Sequence, residues 1–112
     1  AVATGKSRRG LDVALQSVAL HGVFHDSRTA DETASKPDPQ MLHELMAAFD
    51  VPPERTLMIG DTTHDLLMAR NAGCNAVAVT YGAHSHEDLR GCDPVFVAHT
   101  VAELHDWLRA HA

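Results

Sequence analysis

Short apolar runs alternate with helical apolar stripes along most of this chain. Residues 1–4, Ala-Val-Ala-Thr, run into Gly5 as a buried strand entering a loop. From Gly10 the apolar positions Leu11, Ala14, Leu15, Val18 and Ala19 form the stripe of an amphipathic helix. Val23-Phe24 reads as the seed of a second strand, and residues 26–36 read as loop. Asp38 and Pro39 then start a helix whose buried face is Leu42, Leu45, Met46 and Phe49, stopped by Val51-Pro52-Pro53. A strand over 56–59 leads through Gly60-Asp61 to a helix that starts at Thr62 and ends at Gly73. A strand over 76–79, a short helix from Ser85 and a strand over 95–97 follow. Thr100 and Glu103 cap a last helix bearing Val101, Leu104, Trp107 and Leu108.

The strands are continuous apolar runs, so both of their faces are expected to be covered. The fold class expected is α/β, a parallel sheet flanked by helices. The 112 residues make one domain, with no repeat or linker. Aromatic residues are 4% of the chain, so the core falls to Leu, Val, Ala and Met. No run is long enough to span a membrane and no signal peptide is visible, so no membrane partner is expected. Two cysteines make no disulfide framework, and the cytoplasm is the expected compartment. Fifteen acidic against nine basic residues leave a formal charge of −6, which argues against nucleic acid as a partner. Nine histidines make charge sensitive to pH near 6.

Ligands of open α/β sheets bind beyond the carboxyl ends of the strands, and three polar clusters fall there. Thr4-Gly5-Lys6-Ser7 offers a hydroxyl and exposed backbone N–H groups, which suit a phosphate oxygen; an ordinary turn has the same sequence. Lys36, before Pro37 and a helix start, is placed to neutralise a phosphate or hold a carboxylate charged; a solvated loop lysine is the plainer alternative. Asp61 and Asp65, one helical turn apart, suit a hard cation such as Mg²⁺. For Asp65 a capping box with Thr62 explains the residue equally well, whereas Asp61 has no such structural role. His84 and His86 form a His-x-His pair without a third ligand nearby. Lys6, Arg8 and Arg9 either steer an anion or make a solvated helix start.

In this order, residues 1–7, 35–41 and 57–73 resemble the second, third and fourth motifs of the haloacid dehalogenase superfamily. Tyr81-Gly82-Ala83-His84 is similar to its phosphoglycolate phosphatase branch. The resemblance covers almost the whole chain. It implies a Rossmann-like core and Mg²⁺-dependent phosphoryl transfer from a small phosphorylated metabolite, through an aspartyl-phosphate. On that resemblance Thr4 and the Gly5 N–H would hold the transferring phosphoryl group. Lys36 would balance charge between nucleophile and phosphate. Asp61 would hold the metal, directly or through water, and Asp65 would support the acidic cluster. The family's first motif, Asp-x-Asp, and its cap domain are missing from the 112 residues.

The chain is therefore read as the C-terminal part of a phosphatase core, inactive alone for want of a nucleophile. The first-motif strand would lie between the strand at 1–4 and that at 56–59. Its removal exposes two strand edges, expected to pair with each other, with a second copy in a homodimer, or with an N-terminal piece. A receiver-like signalling domain or a non-catalytic partner-binding module is the alternative. The receiver would need paired acids after its first strand, and Ala1-Val2-Ala3-Thr4-Gly5 has none.

Overall fold

The computed structural model describes residues 1–20, 22–82 and 86–111. Among them five strands and five α-helices follow one another, with one 3-10 turn at Pro53–Arg55: β1 (Val2–Thr4), α1 (Arg8–Ser17), β2 (Ser27–Thr29), α2 (Gln40–Phe49), β3 (Leu57–Gly60), α3 (Thr63–Ala72), β4 (Asn75–Val79), α4 (His86–Arg90), β5 (Phe96–Ala98) and α5 (Val101–His111). All strand pairs are parallel, as the continuous apolar runs require. The strands form two sheets instead of one, β1-β2 and β3-β4-β5. In register, Val2 faces Ser27, Leu57 faces Asn75 and Val77 faces Phe96.

The two sheets meet across a gap. Among the described residues β1 pairs only with β2, and β3 only with β4 and not with β1. The expectation that these edges pair with each other is therefore corrected. A cleft of about 380 Å³ runs between them, touching Ala3 and Thr4 on one side and Met58, Ile59 and Gly60 on the other. A neighbouring apolar groove of about 250 Å³ is lined by Ala3 and Leu57 together with Leu42, Leu45 and Phe49 of α2.

The core lies where α2, α3 and α4 meet the strands. Met41, Leu66, Met68, Val77 and Leu89 are fully buried, and a buried side chain of this size contributes about 1.5–3 kcal/mol. Burial of β4 on both faces matches its unbroken apolar run. Coverage of β3 is one-sided: Met58 is buried, while Leu57 is 37% and Ile59 40% exposed. The expectation that every strand is covered on both faces fails there, at the edge facing the gap.

Two further expectations are corrected. Val23-Phe24 is no strand, and both side chains are largely exposed. The second strand comes later, at Ser27–Thr29, inside the stretch read as loop. It shows no apolar period because its side chains enter a polar network. Arg28 pairs with Asp26 and with Glu44 of α2, each at 2.8 Å, and the fully buried Thr29 donates its hydroxyl to Asp31 or Glu32. The helix stripes are also shorter than drawn. Only Leu11 of α1 is buried, Val18 lies beyond the helix, and Met41 replaces Phe49 in the buried face of α2. Phe49 instead meets His25 edge to face.

Caps follow the chemistry of the sequence. Ser7 caps α1 by accepting from Gly10 N at 3.0 Å. Asp38 sits one residue ahead of the α2 cap position, held by Pro39, and accepts from Gln40 N at 2.9 Å. Thr62 and Asp65 form the capping box of α3, and Gly73 ends it in the left-handed conformation. Thr100 accepts from Glu103 N, and the Glu103 carboxylate reaches back to His99 N. The α5 helix buries no residue fully; it lies on β5 through Trp107 stacked on Phe96, with His111 stacked on the other side. No helix among the described residues is long and apolar enough to cross a membrane.

Candidate active site

The site is assembled from three chain segments that leave strands at the same end. Thr4 ends β1 and Gly5 follows it, Asp61 follows β3, and Lys36 lies in the loop after β2. Together with Thr62, His64 and Asp65 they line one cleft of about 420 Å³. All five residues singled out from the sequence, Thr4, Gly5, Lys36, Asp61 and Asp65, are thus brought together.

Each is positioned locally. The Thr4 hydroxyl accepts from Lys6 N at 3.2 Å, which tightens the turn after β1. Ala30 N donates to Lys6 O, tying that turn to the end of β2. A Cβ added at Gly5 would meet nothing within 4 Å, so the backbone there borders open space in the cleft. Arg8 at the start of α1 is neither a free steering charge nor a solvated cap. Its guanidinium holds Glu32 at 2.7 Å and Ser27 Oγ at 2.7 Å, and its backbone N–H donates to Asp31. The hydrogen bond from Arg8 pulls the Glu32 carboxyl below its usual range, and that from Thr29 does the same for Asp31. This network anchors the Thr4–Gly5 turn against β2. Sequence reasoning missed it; the alternation of Ser27, Arg28 and Thr29 with nearby acids was the available signal.

Lys36 and Asp65 form a buried ion pair across the cleft floor. The peptide between Lys36 and Pro37 is cis, and Pro37 O accepts from Asn71 of α3 at 3.0 Å. Asp65 also accepts from the backbone N–H and hydroxyl of Thr62, at 3.2 and 3.0 Å. Burial pushes the Asp65 carboxyl up, but the Lys36 ammonium and the Thr62 donors outweigh it and leave it below the ordinary carboxylate range. Asp65 is thus at once a cap residue and the partner of Lys36: the capping box expected for it is present, and the ion pair comes in addition to it.

Asp61 stands half-buried between the end of β3 and the cap of α3. Asp61 and Asp65 both reach the cleft that separates the two sheets. Among the described residues no group of three or more His, Cys, Asp and Glu is disposed to hold a metal. Asp65 is engaged by Lys36 and Thr62, so Asp61 at the cleft is the carboxylate that fits Mg²⁺, which takes one or two protein carboxylates and fills its other positions with water and phosphate oxygens. His84 lies outside the described residues, as does the side chain of His86. Cys74 is buried against Met46 and Cys92 is a free, partly exposed thiol.

The match to known proteins agrees with this layout. Residues 33–104 match the HAD-hydrolase-like family model. The chain belongs to that family, the haloacid dehalogenase-like hydrolases. A probable phosphatase, IndB of Dickeya dadantii, is 37% identical over 105 residues, covering 93% of this chain and 46% of that protein. A phosphoglycolate phosphatase of Vibrio vulnificus is 35% identical over 107 residues, covering 95% and 47%. Among solved structures, a haloacid dehalogenase-like protein of unknown function from Agrobacterium tumefaciens superposes with a TM-score of 0.86 at 26% identity, covering 96% of this chain and 52% of that one. A haloacid dehalogenase-like hydrolase from Streptococcus pneumoniae gives 0.83 at 24%, covering 94% and 50%, a likeness of fold. The chain spans about half the length of the curated relatives it matches.

Proposed function

We propose that this chain is the phosphoryl-holding part of a Mg²⁺-dependent phosphoric monoester hydrolase. In the whole protein an aspartate outside these 112 residues attacks the phosphorus as the P–O bond to the substrate's alcohol breaks and the protonated alcohol leaves; water then cleaves the aspartyl-phosphate to the free carboxylate and phosphate. The observation that carries the reading is the gathering of Thr4, Gly5, Lys36, Asp61 and Asp65 around one cleft at the carboxyl ends of β1 and β3. Support comes also from relatives named as phosphatases.

Each residue has a task that follows from its position. The Thr4 hydroxyl and Gly5 N–H donate to non-bridging phosphoryl oxygens, whose charge is greatest in transfer. Lys36, fixed by Asp65, presents its ammonium to the phosphoryl group and to the attacking carboxylate, and so lowers their mutual repulsion. Asp61 is the residue that would hold Mg²⁺, directly or through water, with Asp65 supporting it. The metal would supply further charge neutralisation at the phosphoryl oxygens. The gap between β1 and β3 is where a strand bearing the nucleophile would sit, in line with the phosphoryl group held beside it. Phosphoglycolate is the first substrate to try, because the Vibrio vulnificus relative is named for it.

The test is Mg²⁺-dependent hydrolysis of an aryl phosphate, then of phosphoglycolate, by the whole protein and by its Asp61→Asn variant. Turnover reduced about a hundredfold or more in the variant is expected. A whole protein without metal-dependent phosphatase activity, or one indifferent to Asp61→Asn, would overturn the reading.

A further inference from the structure

The two carboxylates of the cleft each rest against a glycine, and the two glycines come from different strand ends. A Cβ built on Gly60 would stand 2.3 Å from the Asp65 Cβ. One built on Gly82 would stand 2.2 Å from Asp61 Oδ2 and 2.3 Å from Asp61 Cβ. Non-bonded heavy atoms meet best at about 3.5–4.0 Å, so neither position has room for a side chain while its aspartate stays in place.

Gly60 is a neighbour of the acids in sequence, and its closeness to Asp65 follows from the sharp exit of β3. Gly82 is different. It lies beyond β4, twenty-one positions after Asp61, and reaches it only through the fold. Its backbone is not in the left-handed region, unlike Gly22 and Gly73. Conformation therefore does not require glycine at 82. The three atoms nearest to such a Cβ all belong to the Asp61 side chain.

We propose that Gly82 is a positioning residue for Asp61: its bare Cα leaves the volume in which the Asp61 side chain stands beside the cleft. A methyl group at 82 would push that carboxylate away from its present place. The end of β4 thus helps to aim an acid carried by the end of β3, the pair of strands being locked in register by Gly60 against Ala78. The consequence for catalysis rests on the phosphatase reading above, whereas the steric relationship itself does not.

The experiment is a double-mutant cycle by urea unfolding of the 112-residue chain at one protein concentration. It uses Gly82→Ala, Asp61→Gly and the double variant; Asp61→Gly is needed because the Asp61 Cβ itself obstructs the methyl. Gly82→Ala is expected to raise the unfolding equilibrium constant about tenfold or more when Asp61 is present, the range of overpacking effects, and less than about twofold in the Asp61→Gly background. An equal effect in both backgrounds, or none in either, would overturn the assignment. Should Gly82→Ala not fold, folding of the double variant supports the proposal and its failure to fold overturns it. A second readout is the ¹³C resonance of the side-chain carboxyl groups. Gly82→Ala should move that of Asp61 and leave that of Asp65 in place; movement of both alike, or of neither, would contradict a specific seat. None of these readouts depends on turnover. An inactive whole protein would defeat the proposed function and leave the cycle standing, and an absent coupling in an active protein would defeat only the assignment of Gly82.

Discussion

Lys36 and Asp65 meet as a buried ion pair although twenty-nine residues separate them, one from a loop after β2 and the other from the first turn of α3. Because each belongs to a different side of the gap, the pair is also a tie between the β1-β2 sheet and the β3-β4-β5 sheet. Breaking it by Asp65→Asn removes the charge partner of Lys36 and weakens the cap of α3 together. A loss of about 3 kcal/mol at pH 7 is expected, the order found when one member of a buried pair is removed. Chemical denaturation of wild type and variant checks this.

The same pair sets an acid limb of stability. The Asp65 carboxyl titrates lower in the folded chain than in the unfolded one. Its contribution is therefore full above the unfolded carboxyl value, 3.8, and is lost as pH falls through the lower folded value. The difference in stability between wild type and Asp65→Asn should be widest near neutrality and narrow steadily in acid. Unfolding midpoints measured from pH 7 down to pH 2 test the sign; a difference that widens in acid would refute it.

Taken alone, the chain is expected to show no Mg²⁺-dependent phosphatase activity, because among the described residues the two aspartates of its cleft are assigned to the metal and to Lys36 in the proposed reaction, which leaves neither as nucleophile. Turnover that disappears with Asp61→Asn in this chain would place the attacking group within the 112 residues and would redraw the roles given to Asp61 and Lys36.

The facing edges of β1 and β3 are expected to be covered in solution by a second copy of the chain. Sedimentation at micromolar concentration should find a dimer, and adding the upstream segment of the whole protein should dissociate it while slowing exchange of the β1 and β3 amides facing the gap. A monomer whose edge amides exchange without protection, with or without that segment, would contradict the expectation.

Thr29 is fully buried with its hydroxyl between Asp31 and Glu32. Thr29→Val keeps the shape and removes the donor, so about 1–2 kcal/mol of stability should be lost. Thermal unfolding measures it. An unchanged midpoint would mean that Arg8, through its guanidinium on Glu32 and its backbone N–H on Asp31, holds the two acids unaided.

Much of this arrangement was legible in the residues. Gly60-Asp61, the Thr62–Asp65 box and the Gly73 stop placed β3 and α3 almost to the residue, because caps and strand exits are written in local chemistry. Lys36 beside Pro37 marked a constrained cation. What stayed hidden depends on long-range contact. The β2 strand carries no apolar period, since Thr29 is satisfied by the nearby Asp31 and Glu32 and Arg28 by Glu44, sixteen positions on, and no local rule makes that last pair. The choice of Lys36 as the partner of Asp65 was hidden for the same reason. The role proposed for Gly82 was legible only as part of a family-like run, because the side chain it meets, Asp61, follows a different strand.

The gap between β1 and β3 turns the site into a conditional device. The groups proposed to hold an anion already stand along its two edges, Thr4, Gly5 and Lys36 on one and Asp61 on the other, so recognition and reaction would be physically separable at one seam. A segment delivered in trans would then act as a switch: the rise in turnover would count how often two separately made pieces have met, and the sequence of that segment could be tuned for the strength of the meeting without touching the residues proposed to hold the phosphate.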